Sequence, residues 1–167
     1  TKLSRADGIF LEHPPIAAPV LNVRNGLLDL ETLELRSHTP KVFSTTQAPV
    51  KFKPNTIALK FEAFLQFALP DEKHRNTLQE FIGYVLTPHT FLQKALYLKG
   101  AGGTGKGTLM AVMQRLLSTG EYGLSCSLSI DNLNDGSPSL VNAVGKRLIY
   151  VSEIPARANL IGFKKIV

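Results

Sequence analysis

The sequence predicts an α/β protein in which a small α+β region precedes a region with a parallel-sheet core. Polar and apolar residues alternate over residues 20–53, which is typical of half-buried strands. Apolar residues then recur at helical spacing as far as residue 87. From residue 94 onward, an apolar run leads into a glycine-rich stretch, a helical pattern follows, and a second apolar run comes near the end of the chain. We therefore predict an extended entry segment at 1–19, an N-terminal α+β domain at 20–93 and a second domain at 94–167.

The β-rich part of the predicted N-terminal domain spans residues 20–53. Before it, the sequence EHPPIAAP contains three prolines in eight residues, which indicates a linker. The pair Asn25-Gly26, which favours a tight hairpin turn, lies between two apolar runs. From residue 28 to residue 36, leucines alternate mostly with charged residues. Since KVFSTTQAPVKF continues in the same style, we expect a small antiparallel β unit over the whole stretch.

Two helices are predicted between residues 56 and 87. The first ends before Pro70, and the second begins after Asp71, a favourable N-cap residue, and ends before Pro88. Aromatic side chains on the apolar face of a helix belong more often to a core than to a base-stacking platform, and we expect a core here. The predicted apolar faces consist of Ile57, Phe61, Phe64, Leu65 and Ala68 in the first helix and of Leu78, Phe81, Ile82, Val85 and Leu86 in the second.

Composition and charge restrict the class of protein. Of the 167 residues, 44% are hydrophobic, and no apolar run approaches the roughly 20 residues of a membrane span, so we expect a soluble protein. The first ten residues lack the apolar core of a signal peptide, and Cys126 has no second cysteine to pair with. Both observations favour a reducing, cytoplasmic location and a structural thiol. A net charge of +6 with a pI near 9.6 favours nucleic acid as a partner.

The stretch GAGGTGKGT at residues 100–108 matches a phosphate-binding loop, or P-loop, except at one position. The usual signature is G-x-x-x-x-G-K-[ST], whose final hydroxyl binds the magnesium ion of a nucleotide. Here Gly107 stands at that position and Thr108 follows one residue late. We expect the loop to leave a buried strand at Ala95–Leu98 and to open a helix near Lys106, whose free N–H groups attract phosphate. The predicted nucleotide-binding residues are Gly100, Ala101, Gly102, Gly103, Thr104, Gly105, Lys106, Gly107 and Thr108.

An acid at the end of a neighbouring strand would complete a nucleotide-hydrolysing site. The run KRLIYVSE predicts a buried parallel strand that ends at Glu153, and ligands of open α/β sheets bind at the carboxyl ends of strands. We therefore predict Lys106 and Glu153 as catalytic residues, the lysine at the β- and γ-phosphates and the glutamate at the magnesium ion. One helical step turns a side chain by about 100°, so Thr108 does not simply replace a hydroxyl at position 107. The predicted metal ligands are Thr108 and Glu153, with Mg²⁺ keeping more of its waters.

Four segments of the chain resemble a known family in their order and spacing. They are NVRNGLLDLETLELRSHTP, LQEFIGYVLT, KALYLKGAGGTGKGT and GKRLIYVSE. Together, over residues 20–160, they resemble the phage and plasmid primase–helicases of helicase superfamily 3, which carry a viral-type N-terminal domain. The resemblance implies an AAA+-like P-loop NTPase core in a hexameric ring that uses ATP and Mg²⁺ to unwind DNA during replication, in the bacterial host of a phage or plasmid. It also implies that Lys106 holds the ATP phosphates and that Glu153 acts with magnesium in hydrolysis.

The chain departs from the family pattern in two ways, and two other hypotheses stay open. The family loop usually reads GKS or GKT, and its polar sensor, DNA-contacting hairpin and arginine finger follow the acid strand. Since the sequence ends at Val167, we expect a fragment that is not fully active alone. The GKGT ending also fits a small-nucleotide kinase, and a third hypothesis is a DNA-docking or assembly module that binds nucleotide without turnover. Candidate DNA contacts, chosen by charge and equally compatible with a solvated surface, are Lys146, Arg147, Arg157, Lys164 and Lys165.

Overall fold

The computed structural model describes residues 19–42, 44, 46–118, 123–133, 138–152 and 154, and it has a mixed α/β architecture with small sheets. Within these ranges the strands and α-helices are β1 (Val20–Val23), β2 (Gly26–Asp29), β3 (Leu35–Arg36), α1 (Leu59–Ala68), α2 (Glu72–Leu86), α3 (Lys106–Leu117), β4 (Ser125–Ser127) and β5 (Leu148–Tyr150). Short 3₁₀ turns at Asp131–Leu133 and Pro138–Ala143 lie between β4 and β5. Among the described helices, none has the length and apolar character needed to cross a membrane.

β1, β2 and β3 form an antiparallel sheet in this order, as predicted for the start of the N-terminal domain. The turn between β1 and β2 consists of Arg24 and Asn25, one residue earlier than predicted, because Gly26 already pairs with Val23. Gly26 is needed for a different reason. A Cβ at this position would collide with the carbonyl oxygen of Arg36 on β3. The glycine therefore allows β3 to approach β2.

The predicted alternation of buried and exposed residues fails at β2 and beyond it. All four residues of β2 are buried, including Asp29, which is 6% exposed. Its Oδ1 accepts the N–H groups of Glu31 and Thr32, each at 3.0 Å. The Thr32 N–H contributes most to lowering the pKa of the Asp29 carboxyl, and burial opposes it. The prediction is wrong for Leu33 and Leu35, which are 60% and 37% exposed, because the chain turns here and Leu33 has a φ of 59°.

The stretch from residue 37 to residue 53 is held to the sheet mainly by side-chain bonds. Among its described residues no strand is formed, and Ala48 makes an isolated bridge with Val23. The side-chain amide of Asn25 donates to Phe52 O and accepts the N–H of Phe52, both at 2.9 Å. Two isolated backbone bonds, Arg24 N–H to Val50 O and Ala48 N–H to Asn22 O, add to these side-chain bonds. The strands predicted in KVFSTTQAPVKF are absent from the described part of this segment.

α1 and α2 confirm the two predicted helices, with one shift at the start. α1 begins at Leu59, so Ile57 precedes it and is 73% exposed. Asp71 caps α2 as predicted, because its carboxylate accepts the N–H of Lys73 at 2.8 Å. The predicted apolar faces supply the packing. Leu78 and Val85 are buried, and the half-buried residues against the core include Phe61, Phe64, Leu65, Phe81, Ile82 and Leu86.

One hydrophobic cluster joins elements from both sides of the glycine-rich loop. Its buried members are Leu21, Val23, Leu28, Ala48, Leu78, Val85, Leu109, Met113, Leu117, Leu124 and Leu148. Arg147 adds a polar link, since its guanidinium donates to the carbonyl oxygens of Leu86 and Val20, the latter at 3.2 Å. Burial lowers the pKa of this guanidinium. The division of the chain into two domains at residue 94 stays a prediction.

β4 and β5 form a parallel pair in which Ser125 lies opposite Leu148. β5 confirms a parallel strand in KRLIYVSE, but it ends at Tyr150, before the predicted end at Glu153, and only Leu148 of its three residues is fully buried. The strand predicted at Ala95–Leu98 is not formed, because this segment lies outside both sheets and Tyr97 is 70% exposed. A strand needs a hydrogen-bonded neighbour, and no described strand pairs with this segment. Its leucines, Leu96 and Leu98, still pack against the core.

Candidate functional site

The glycine-rich loop lies on the surface and opens α3, as the sequence predicts. α3 begins at Lys106 with Gly105 as its N-cap. Gly103 and Gly105 have φ values of 77° and 88°, which residues with a Cβ rarely adopt. The N–H of Leu109 donates to Gly105 O at 2.9 Å. The N–H groups of residues 106–108 lie before it in the first helical turn, where they have no intrahelical acceptor.

The ammonium group of Lys106 lies within the loop. Its Nζ donates to the carbonyl oxygens of Gly100 at 2.8 Å and Ala101 at 2.7 Å, and to Thr104 Oγ1 at 3.2 Å. Thr104 Oγ1 in turn donates to Ala101 O at 2.9 Å. All of these acceptors are neutral oxygens. An anionic phosphate oxygen is a stronger acceptor for an ammonium group, so Lys106 is placed to exchange them for an anion bound at the loop.

An open cleft of about 570 Å³ lies beside the loop. Its lining consists of Phe64 and Phe67 from α1 and of residues 102–108. This volume is typical of sites for small molecules. Within the described lining, Lys106 is the charged residue and no acidic side chain is present. The charge of the lining therefore favours an anionic ligand.

Phe64 and Phe67 line the cleft, and the sequence prediction assigned the first to the core and left the second out. Phe64 is half-buried against the core, as predicted, but it also contacts the loop, because a Cβ on Gly105 would lie 3.0 Å from Phe64 Cε2. Phe67 is 82% exposed and was not part of the predicted apolar face. The sequence carries no signal for it, because single exposed apolar residues are common and only the packing of α1 on the loop brings Phe67 to the cleft.

The predicted metal ligands lie only in part within the described residues. Thr108 is exposed in the first turn of α3 and lines the cleft. At Gly107, a Cβ would meet no atom within 4 Å. Glu153 lies outside the described residues, so its place near the loop stays a prediction, although β5, the strand predicted before it, is formed. In the described part of the chain, no group of three His, Cys, Asp or Glu side chains could hold a metal ion.

Two of the basic residues proposed as DNA contacts have structural partners. Lys146 Nζ donates to Gly123 O at 2.7 Å, and Arg147 donates to carbonyl oxygens of the core elements. The other candidate DNA contacts lie outside the described residues: Arg157, Lys164 and Lys165.

Cys126 is half-buried, and burial raises the pKa of its thiol while Lys146 opposes this. The thiol is therefore mostly protonated at neutral pH, which is compatible with the structural role predicted for it.

Comparison with known proteins supports the family resemblance in the N-terminal part of the chain. Residues 3–70 match the family described as D5 N terminal like, a domain found in phage and plasmid primase–helicase proteins. The match includes the antiparallel sheet and α1, and it ends before the glycine-rich loop. A search of curated proteins gave no match. The N-terminal part of this chain is thus similar to a domain of primase–helicase-type proteins.

Proposed function

We propose that the chain binds ATP through residues 100–108 as the nucleotide-binding part of a phage- or plasmid-type replicative DNA helicase. The observation that carries this proposal is the exposed loop itself. Glycines at left-handed φ lead into α3, and Lys106 Nζ lies among the loop carbonyls. A triphosphate supplies charge and several oxygen acceptors, so it can engage the helix N–H groups and the ammonium group at the same time.

In the proposed complex, the backbone N–H groups of residues 105–108 bind phosphate oxygens. Lys106 exchanges the carbonyl oxygens of Gly100 and Ala101, now at 2.8 and 2.7 Å, for the β- and γ-phosphates. The positive end of the α3 dipole adds to the attraction. The exchange is favourable because an anionic oxygen adds the attraction between opposite charges to the hydrogen bonds that the ammonium group already donates to neutral oxygens.

Magnesium would be held by the Thr108 hydroxyl, by Glu153 and by water. The exposure of Thr108 at the cleft is compatible with this, and hydroxyl, carboxylate and water oxygens are ligands that Mg²⁺ prefers. When bound, the ion neutralises charge on the phosphates. Because Gly107 offers no hydroxyl and Thr108 stands about 100° further around the helix, the loop would hold the ion less directly than the usual loop does, and the ion would keep more of its waters.

The helicase part of the proposal rests on the N-terminal match and on charge. Domains similar to residues 3–70 occur in primase–helicase proteins, and a net charge of +6 favours a polyanionic partner. We propose DNA as that partner and a homohexameric ring as the working assembly, in the cytoplasm of a bacterial host. In this assembly Lys106 and Glu153 would be the catalytic residues of ATP hydrolysis.

A calorimetric titration with ATP and Mg²⁺ tests the binding step. Replacing Lys106 with alanine should weaken binding by about 10- to 100-fold, since a hydrogen bond to a charged group contributes about 1.5–3 kcal/mol. Lys99→Ala is the matched control, because Lys99 is an exposed neighbour that does not line the cleft. It should bind ATP within about twofold of the parent chain, since substitutions of exposed residues outside a site have small effects. Equal affinity of the Lys106→Ala variant and the parent chain would defeat the proposal.

Hydrolysis assays on the full-length protein distinguish the helicase from the two other hypotheses. Phosphate release from ATP that increases with single-stranded DNA supports the helicase. Transfer of the γ-phosphate to a nucleoside monophosphate would instead indicate a small-nucleotide kinase. Binding of ATP without any turnover, with or without DNA, would indicate a docking or assembly module.

A further inference from the structure

The cleft beside the loop has an aromatic wall that the phosphate-binding role does not use. Phe64 packs against Phe61, with ring centroids 6.1 Å apart and an interplanar angle of 27°. Phe67 is 82% exposed, and no ring partner for it occurs among the described residues. Exposed apolar residues are common, and Phe67 differs from the others because it lines the cleft together with Phe64, where a ligand bound at the loop can cover it.

α1 lies directly against the loop, which fixes the aromatic wall relative to the phosphate-binding groups. A Cβ on Gly105 would be 3.0 Å from Phe64 Cε2 and 3.3 Å from Ala68 Cβ. Residues three apart on a helix are neighbours on its surface, so Phe67 lies beside Phe64 on the same cleft. The cleft therefore has one wall of backbone amides with an ammonium group and one wall of aromatic carbon.

We propose that the base of the bound nucleotide stacks on Phe67 while its triphosphate lies in the loop. This inference rests on the proposed function and adds the second half of the ligand to it. A ligand that is anionic at one end and flat and aromatic at the other fits both walls, and a nucleotide has this composition. The polar side chains of the described lining, Thr104, Lys106 and Thr108, all belong to the loop. The aromatic wall thus offers no group that reads the edge of a base.

This arrangement predicts weak selection among bases. Stacking tolerates any base, because every base has a π-face. ATP and GTP should therefore bind with affinities within about fivefold of each other, whereas inorganic tripolyphosphate, which has no base, should bind more weakly by about 10-fold. Strong preference for one base would require polar contacts that this wall lacks.

A pair of alanine variants on α1 tests the stacking contact. Phe67→Ala should weaken ATP binding by about 10-fold and leave tripolyphosphate binding unchanged. Leu59→Ala is the matched control, because Leu59 is a 71% exposed residue of the same helix that does not line the cleft. It should change neither affinity. A Phe67→Ala variant that binds ATP like the parent chain overturns the stacking proposal. A variant that loses affinity for ATP and tripolyphosphate equally also overturns it. In both cases the assignment of the loop is unaffected.

Tryptophan fluorescence gives an independent reading, because the chain contains no tryptophan. In the Phe67→Trp variant, emission should be quenched on addition of ATP, since a stacked base is in van der Waals contact with the indole. Tripolyphosphate should quench it much less, and the Leu59→Trp control should respond to neither. Emission that changes with protein concentration and not with ATP would mean that a second copy covers this position, which overturns the stacking proposal. If the parent chain binds neither ATP nor tripolyphosphate, the proposed function and this inference both fail.

Discussion

Arg147 provides a test of how the parts of the chain are held together. Its guanidinium is desolvated by burial, and it donates to the carbonyl oxygens of Val20, at the start of β1, and Leu86, at the end of α2. Arg147 itself directly precedes β5. One side chain therefore connects the antiparallel sheet and α2 to the parallel pair. Replacing Arg147 with methionine keeps an unbranched apolar stem at this position and removes the guanidinium with both of its hydrogen bonds.

The expected cost follows from the two carbonyl oxygens left without a donor. A buried backbone acceptor without a partner costs about 1–3 kcal/mol, which gives about 2–6 kcal/mol for the pair. Two effects reduce this. Val20 and Leu86 are both half-buried, so water can replace part of each bond, and the variant no longer buries a positive charge. We expect the free energy of unfolding to fall by about 2–3 kcal/mol, or the Tm by about 5–10 °C for a chain of this size.

Urea unfolding followed by circular dichroism measures this difference, and thermal unfolding provides a second value. Arg24→Met is the matched control, since Arg24 is exposed in the turn after β1 and its replacement should stay within about 0.5 kcal/mol of the parent chain. Arg147→Lys should give an intermediate loss, because one ammonium group lacks the forked geometry of a guanidinium. A free energy of unfolding for Arg147→Met that equals that of the Arg24→Met control would refute the role assigned to Arg147.

Two further predictions concern pH and the metal. The pKa of Asp29 lies below its ordinary value of 3.8, mainly through the Thr32 N–H, so its ionised form stabilises the fold above that pH and the contribution is lost as pH falls through the lowered value. Asp29→Asn should remove this part of the pH dependence of the free energy of unfolding. Free energies of unfolding that change equally in variant and parent from about pH 5 to pH 3 would contradict the assignment. Gly107→Ser restores the usual hydroxyl at a position where a Cβ meets no atom within 4 Å, so it should tighten ATP binding by about 3- to 10-fold with Mg²⁺ and not with EDTA. The same gain in EDTA would show that the hydroxyl does not act through the metal.

Helix positions could be predicted from the sequence because their signals are local. Asp71 and the flanking prolines set the bounds of α2, and the helix after the loop begins at Lys106 as expected. Strands were harder, since a strand depends on a partner that its own residues do not specify. The apolar segment Ala95–Leu98 remains unpaired among the described residues, while β4 forms from the inconspicuous residues Ser125–Ser127.

The conformation of the glycine-rich loop was predictable from the sequence, and the aromatic wall of the cleft beside it was not. Glycines and a lysine at fixed spacing predict the loop because the backbone conformation needed there is a local property. Phe67 lines the cleft only through the packing of α1 on Gly105, which joins residues far apart in the sequence. Asp29 shows the same limit in the core. Alternation predicts it to face solvent, and the backbone N–H groups of the following turn make its burial possible.

Nucleotide binding can be measured directly at the residues proposed to contact the phosphates. The measurement is backbone amide NMR of the ¹⁵N-labelled protein during addition of ATP and Mg²⁺. The N–H groups of residues 105–108 at the start of α3 should show the largest chemical-shift changes, saturating with one ATP per chain, and Lys106→Ala should reduce them strongly. Amide signals of this helical turn that stay in place while ATP binds elsewhere, or at no site, would contradict the account.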